Sequence, residues 1–319
     1  RCLQAAEKAI EVIEPSLLKT SSAATRGVSR NRRGQNERSD NLLSVVRVEA
    51  PSGKVRGHLV SFSCHSTVMP PENLQYSADL FGTAAAYVEE QHPDSCCVIF
   101  NGAAADLSTR FTRKEQTWEE LDRLGKSLGR QIIRTGKASE PIQAVPIRGK
   151  AGRMNLSFRP ALSVDHAQSA YGCANLEYTG AQLWMDKNRI ASARAKLDGA
   201  AAQLMISRLG GWKPLFGASE AELELQVIRV GNLVFCGLPG EFFGRRGLEL
   251  SRTANPKKAF VIGYANGYCG YAVPPAEIAK GGYEEIMSPL NAKDEPKVIK
   301  ELKTLVRQLK QLPSEAADV

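Results

Sequence analysis

Four apolar runs of strand length in this 319-residue chain each end on a chemically competent side chain rather than on a turn. They are SFSCHST, VIFNGAAADLSTRF, LVFCGLPGEFF and VIGYANGYCGY, and they present His65, Ser108, Glu241 and Tyr268 in front of loops rich in Gly, Ala or Pro. In open α/β sheets the carboxyl ends of strands are where sites assemble, because loops converge there while the strands stay rigid. The four ends are therefore expected to meet.

Strand-like and helical patterns alternate around these runs. LLSVVRVEA and KVRGHLVSFSC flank PSG and predict a hairpin, with His65 at the end of its second strand. SADLFGTAAAYVEEQH predicts a helix capped by Ser77, and CCVIFN a short, fully apolar strand of the kind found at a sheet centre. A strongly amphipathic helix is expected over 115–135, and a second hairpin from AELELQVIRV and LVFCGLP joined at GN. A helix over 242–253, a strand AFVIGYA and a charged helix over 295–311 follow. Residues 2–13 read as a helix closed by Pro15, residues 20–41 as irregular, and residues 142–180 as irregular with short strand-like pieces before a long helix near 181–206. The expected fold class is α/β, with mixed β-sheets, flanking helices and strand ends converging on a metal-type site. Residues 1–319 read as one domain, and because the chain opens on Arg1 directly into a helical pattern, an upstream segment is expected to lie outside it.

Composition removes some functions. A 43% apolar content supports a sizeable core, and no run approaches the roughly 18 apolar residues of a spanning helix, so no transmembrane segment is expected. The net charge of +8 raises an anionic partner, yet outside SRNRR at 29–33 the basic residues are interleaved with acids, as in RKEQTWEELDRLGK. There is no aromatic-interleaved basic strand and no zinc-finger spacing, so nucleic acid is not an expected partner. Seven cysteines without a CxxC, among them Cys96, Cys97 and Cys236 in apolar strands, read as free small hydrophobes.

The chemistry open to the strand ends is specific. His65, Glu241 and a tyrosine supply one nitrogen and two oxygen donors, a set that suits zinc with a position left for water. Taken singly, the first two are more often a satisfied structural histidine and a helix N-terminal charge that favours the dipole. Ser108 reads as a nucleophile, a hydrogen-bond donor or a turn residue, and it lacks the GxSxG elbow of an esterase triad. The small residues from Gly102 to Ala105 would let backbone N–H groups approach a ligand closely.

Taken in order, VSRNRR, SFSCHST, GAAADLSTRF, LPGEFF and GYANGYCGYAVPPAEIAKGGYEE resemble the N-terminal catalytic domain of the neutral/alkaline, non-lysosomal ceramidase family. Its members are zinc amidases that hydrolyse the N-acyl bond of ceramide to sphingosine and a fatty acid. The resemblance implies that His65, Glu241 and Tyr268 are zinc ligands, that Ser108 is the active-site serine, and that Arg32 holds the substrate or the scissile group. Either Tyr271 or Tyr283 matches a further tyrosine near the scissile amide. It also implies another zinc histidine, from a His-Thr-His stretch upstream of these residues. The chain departs from the family pattern at Ala105, Thr109 and Arg110 around the serine.

The expected function is thus a zinc-dependent amidase acting on a lipid or other N-acyl amide, with peripheral membrane contact compatible with such a substrate. A short, bacterial-type architecture without a C-terminal immunoglobulin-like domain is expected, and the resemblance implies a secreted or periplasmic location. Two other readings stay open: a non-catalytic lipid-binding or interaction domain on the same fold, and a metal-free serine hydrolase using Ser108.

Overall fold

The computed structural model describes residues 1–34, 42–142, 146–255 and 258–312. The first half contains α1 (Cys2–Glu11), β1 (Leu17–Ala24), β2 (Arg30–Asn31), β3 (Leu42–Glu49), β4 (Val55–Phe62), α2 (Asp79–Gln91), β5 (Cys96–Asn101), β6 (Leu107–Ser108) and α3 (Trp118–Lys137). Next come β7 (Glu140–Pro141), β8 (Ile147–Ser157), α4 (Val164–Leu183), α5 (Lys187–Arg208), α6 (Lys213–Phe216), β9 (Glu220–Val230) and β10 (Leu233–Gly237). The chain then runs through β11 (Glu241–Phe242), α7 (Gly244–Ala254), β12 (Ala259–Ile262), β13 (Tyr271–Ala272), α8 (Pro275–Ile278), α9 (Tyr283–Ile286) and α10 (Glu295–Gln311).

Two mixed sheets form the centre, ordered β5-β4-β3-β1-β7 and β12-β10-β9-β8. Their faces explain the apolar pattern. Leu43, Val45, Val60 and Phe62 of the first sheet pack against Leu80, Ala84 and Val88 of α2 and Leu121, Leu124, Leu128 and Ile132 of α3. On the opposite face Val46 meets Leu233 and Phe260 of the second sheet. The far side of that second sheet, including Val227, Val234 and Val261, packs on Leu250 of α7 and on Val298, Leu302, Leu305 and Leu309 of α10. Helix, sheet, sheet and helix therefore stack in four layers, and the adjacent Val45 and Val46 are both buried because each faces a different layer. The fold class is the expected α/β arrangement of mixed sheets with flanking helices.

Both expected hairpins form, pairing Val45 with Val60 and Phe235 with Ile228. Helix α3 begins with Thr117 accepting the Glu120 N–H, and its apolar residues recur every three or four positions. Several expectations are corrected. CCVIFN is β5, an edge strand rather than a central one: it pairs only with β4, in parallel, and Cys96 and Val98 are exposed. Helix α2 starts at Asp79, not after a Ser77 cap. Ser77 Oγ accepts the N–H of Asp79, the first helical residue, while the Asp79 carboxylate accepts from Leu80, Val68 and Met69 and ties the helix start to the loop after His65. The span 20–41 is strand as far as Ala24, and residues 35–41 lie outside the described residues. Thr20 and Ser21 there satisfy their hydroxyls on Val45 O and Thr135 O, so a paired strand has loop-like composition. The span 142–180 holds the eleven-residue β8 and most of α4. No helix among the described residues is long and apolar enough to cross a membrane.

Candidate active site

The strand ends do converge. β4 stops at Phe62, and three residues later the His65 N–H donates to Leu107 O at 2.8 Å while His65 forms a parallel bridge with Ser108. The imidazole is held from behind: Nδ1 lies 2.8 Å from Ala104 O and 3.1 Å from Leu107 O. Carbonyl oxygens only accept, so Nδ1 carries the proton and Nε2 is the nitrogen presented to the site.

Opposite it stands Glu241, whose position depends on the Leu-Pro-Gly before it. A Cβ on Gly240 would sit 2.8 Å from Gly270 O, so only glycine permits the approach in which the Glu241 N–H bonds Gly270 O at 2.9 Å. That approach pairs β11 with β13 in parallel and sets Glu241 beside Tyr271. Glu241 Oε2 is 2.9 Å from His65 Nε2, the Tyr268 hydroxyl donates to Oε1 at 2.5 Å, and the Tyr271 hydroxyl lies 3.3 Å from His65 Nε2.

Arg32 closes the cluster. Its backbone N–H bonds Asp106 O at 2.7 Å, Nη2 donates to the Tyr271 hydroxyl at 3.1 Å, and Nε donates to Glu284 Oε1 at 2.8 Å. The guanidinium lies 5.8 Å from the ring centre of Tyr271 and 5.7 Å from that of Tyr283. Of the two tyrosines left open by the sequence, Tyr271 reaches His65 and Arg32 with its hydroxyl, whereas Tyr283 packs edge-on against Tyr271 at 5.9 Å.

Ser108 is buried beside His65, but its side chain turns elsewhere. Its Oγ accepts the Arg110 N–H at 3.1 Å, a turn-capping bond, and among the described residues it makes no hydrogen bond to His65 or Glu241. Two amides of the small-residue loop are also occupied: Gly102 N–H donates to Phe62 O and Ala105 N–H to Phe242 O. The expected close approach of those two N–H groups to a ligand is therefore not available. The small residues serve packing, since a Cβ on Gly102 would sit 2.4 Å from Ser63 Oγ.

Two residues that sequence reasoning did not single out hold the cluster in place. Asp106 accepts from Asn31 Nδ2 and from the Gly244 N–H, both at 2.7 Å, and so pins β2 to the start of α7. Glu284 is shared by Arg32 and Arg33, the latter donating from Nη1 to Oε2 at 2.7 Å. The signals were present in the Asp of GAAADLST and the first Glu of GGYEE, but their partners lie far away in sequence.

Burial sets the electrostatics. It would push the Glu241 carboxyl up, yet the contacts with His65 and Tyr268 outweigh it and hold Glu241 below the ordinary carboxylate range. Burial and the Glu241 charge push the Tyr268 and Tyr271 phenols up, although Arg32 opposes this at Tyr271. Both phenols are therefore neutral hydrogen-bond donors near pH 7. Burial works against the Arg32 charge, but Glu284 and Tyr271 more than compensate and raise its pKa.

His65 and Glu241 form a pair able to share one cation. With Nδ1 protonated, Nε2 turns a lone pair toward a carboxylate oxygen at 2.9 Å, an arrangement that is favourable only when the pair shares a positive charge, a proton or a metal ion. His65 and Glu241 are of the nitrogen and oxygen types zinc accepts, whereas Tyr268 is a neutral phenol that donates to Glu241 and would be a weaker oxygen donor. Among the described residues no group of three or more His, Cys, Asp or Glu side chains could hold a metal, so a phenol oxygen is needed to complete even this set. A groove of about 980 Å³ between β1 and α3, lined by Ser21, Arg130 and Arg134 among others, shares no residue with the cluster.

No family model and no curated protein matches the sequence. The structure, however, is similar to a ceramidase complexed with C2, with a TM-score of 0.69 and 17% identity over 98% of this chain and 56% of that one. It is also similar to the neutral ceramidase from Pseudomonas aeruginosa, with a TM-score of 0.67 and 18% identity over 99% of this chain and 56% of that one. The chain thus spans little more than half the length of these relatives. At such identity the likeness concerns the backbone and its topology: this chain has the fold of the neutral ceramidases.

Proposed function

We propose that the protein is a metal-dependent amidase that hydrolyses an N-acyl, ceramide-like amide to a fatty acid and a sphingoid base. One observation carries the reading: on a ceramidase fold, His65 Nε2, the Glu241 carboxylate and the Tyr268 hydroxyl converge beside a second phenol and a buried arginine. Zinc held by His65, Glu241 and Tyr268 would supply Lewis-acid polarisation of the acyl carbonyl and acidify a water to a pKa of about 7.

The chain's own groups do the rest. Arg32 Nη2 donates to the Tyr271 oxygen, so the phenol proton is the one offered to His65 Nε2 at 3.3 Å, and it would become available to an oxyanion where Nε2 holds a metal instead. Because that phenol is neutral near pH 7, it can donate, and one such donor contributes roughly 3 kcal/mol where it is preorganised. Glu284 fixes the guanidinium so that this donor does not have to be organised during the reaction. Ser108 lies within the same layer and is assigned a positioning or hydrogen-bonding role, since no base touches its hydroxyl. The test is hydrolysis of a short-chain ceramide by the purified protein with added zinc, compared with Tyr271→Phe. Turnover that falls about 100-fold in Tyr271→Phe supports the reading. A protein that binds ceramide without turnover supports the non-catalytic alternative.

A further inference from the structure

The groove of about 980 Å³ between β1 and α3 has a strand edge for one wall. β1 runs from Leu17 to Ala24, but β7 is only two residues long and pairs with Lys19 and Thr20 alone. Among the described residues no strand pairs with that side of β1 beyond Thr20. Leu18 O accepts the Ile142 N–H there, and backbone groups point to alternate sides along a strand, so Ser22 and Ala24 turn their N–H and C=O groups toward the groove. Every residue from Thr20 to Arg26 lines it, which a strand does with its edge and not with one of its faces.

The facing wall is α3, where Ser127, Arg130, Gln131 and Arg134 recur at spacings of three and four on one side of the helix. Two bonds hold the walls at a fixed separation: Ser21 Oγ donates to Thr135 O at 2.6 Å, and Gln131 Oε1 accepts the Arg26 N–H at 3.0 Å. The groove is therefore formed before anything enters it. Its charge has one sign. Arg26, Arg130, Arg134 and Lys258 line it with Glu140 as the one acid among the described residues, and none of these four cations has an ion pair there. Arg130 is steadied instead by the Tyr87 ring, 5.9 Å from its guanidinium.

We propose that the groove is a docking site for an extended acidic peptide segment of a partner protein, which adds as a strand beside Ser22 and Ala24. The open edge selects extended backbone, since a strand returns a donor and an acceptor to each outward-facing residue, and the unpaired cations select acidic side chains. The groove shares no residue with the His65 cluster, so this docking does not depend on the hydrolytic reading.

Fluorescence anisotropy of the full chain with a labelled, end-blocked hexapeptide of alternating Glu and Val tests the site, with an alternating Lys and Val peptide as control. The wild type is expected to bind the acidic peptide and not the basic one. Ala24→Pro removes a groove-side N–H and leaves the ladder to β3 intact, because proline is tolerated where an edge strand faces outward. That variant and R130E/R134E should each bind at least about tenfold more weakly with unchanged thermal unfolding, and so should the wild type with a peptide N-methylated at every residue. Absence of wild-type binding leaves the cations as protection of an open edge against self-pairing and overturns the proposal. Binding lost in R130E/R134E but equal for the methylated and unmethylated peptides shows attraction by charge alone and overturns it too. A dimer that dissociates in Ala24→Pro, with no peptide binding, overturns it in favour of pairing with a second copy.

Discussion

His65 and Glu241, 176 positions apart in the chain, meet at 2.9 Å with the other imidazole nitrogen already committed to two backbone carbonyls. Pairing of the segments that carry them runs through backbone groups, so neither side chain is needed for it. His65→Ala and Glu241→Ala should each lower N-acyl hydrolysis at least about 100-fold while the protein still unfolds cooperatively near the wild-type temperature. Steady-state kinetics beside thermal denaturation read both quantities.

Arg32 and Glu284 are the opposite case, an ion pair with the Glu284 side chain only 3% exposed. Removing one partner leaves the other charged and desolvated. Glu284→Ala should cost about 3–5 kcal/mol in denaturant unfolding, since the buried Arg32 loses its carboxylate and Arg33 keeps only the longer ion pair with Glu277. Arg32→Lys keeps the charge but loses the fork that serves Glu284 and Tyr271 together, so it should reduce kcat more than stability.

Ser108 separates two chemistries. Its hydroxyl accepts the Arg110 N–H and touches neither His65 nor Glu241, so Ser108→Ala should leave most of the turnover, reduced by no more than about tenfold, the cost of one lost hydrogen bond. Covalent labelling of Ser108 by a fluorophosphonate that survives metal chelation would instead establish a serine nucleophile.

His58 gives the fold a pH dependence remote from the site. Burial, then the neighbouring His92 and Arg47 charges, lower its pKa from the ordinary 6.5 to about 4. The folded state thus favours neutral imidazole, and the unfolded chain binds the proton first as pH falls. Stability is fully present above pH 6.5 and is lost progressively between about 6.5 and 4, below which both states are protonated. Urea midpoints measured across that range should fall in the wild type and fall less in His58→Gln.

The sequence and the structure agree where chemistry and hydrophobicity coincide. His65, Glu241 and Tyr268 each end an apolar strand ahead of a small-residue loop, so their convergence was legible from strand ends alone. Asp106 and Glu284 were not, because a buried carboxylate declares itself only through its partner, and Arg32 lies 252 positions from Glu284. Strands β1 and β8 escaped for another reason. LLKTSSAA and IRGKAGRMNLS lack clean apolar alternation, and their pairing to β3 and β9 rather than their own pattern makes them strands. CCVIFN misled in the reverse sense, since its apolar run lies at a sheet edge.

Metal content by elemental analysis of the purified protein, with His65→Ala and Glu241→Ala alongside, tests the central claim most directly. The account predicts about one zinc per wild-type chain and a loss of that zinc in both variants. Zinc retained equally by all three proteins, or absent from the wild type after zinc loading, would contradict it.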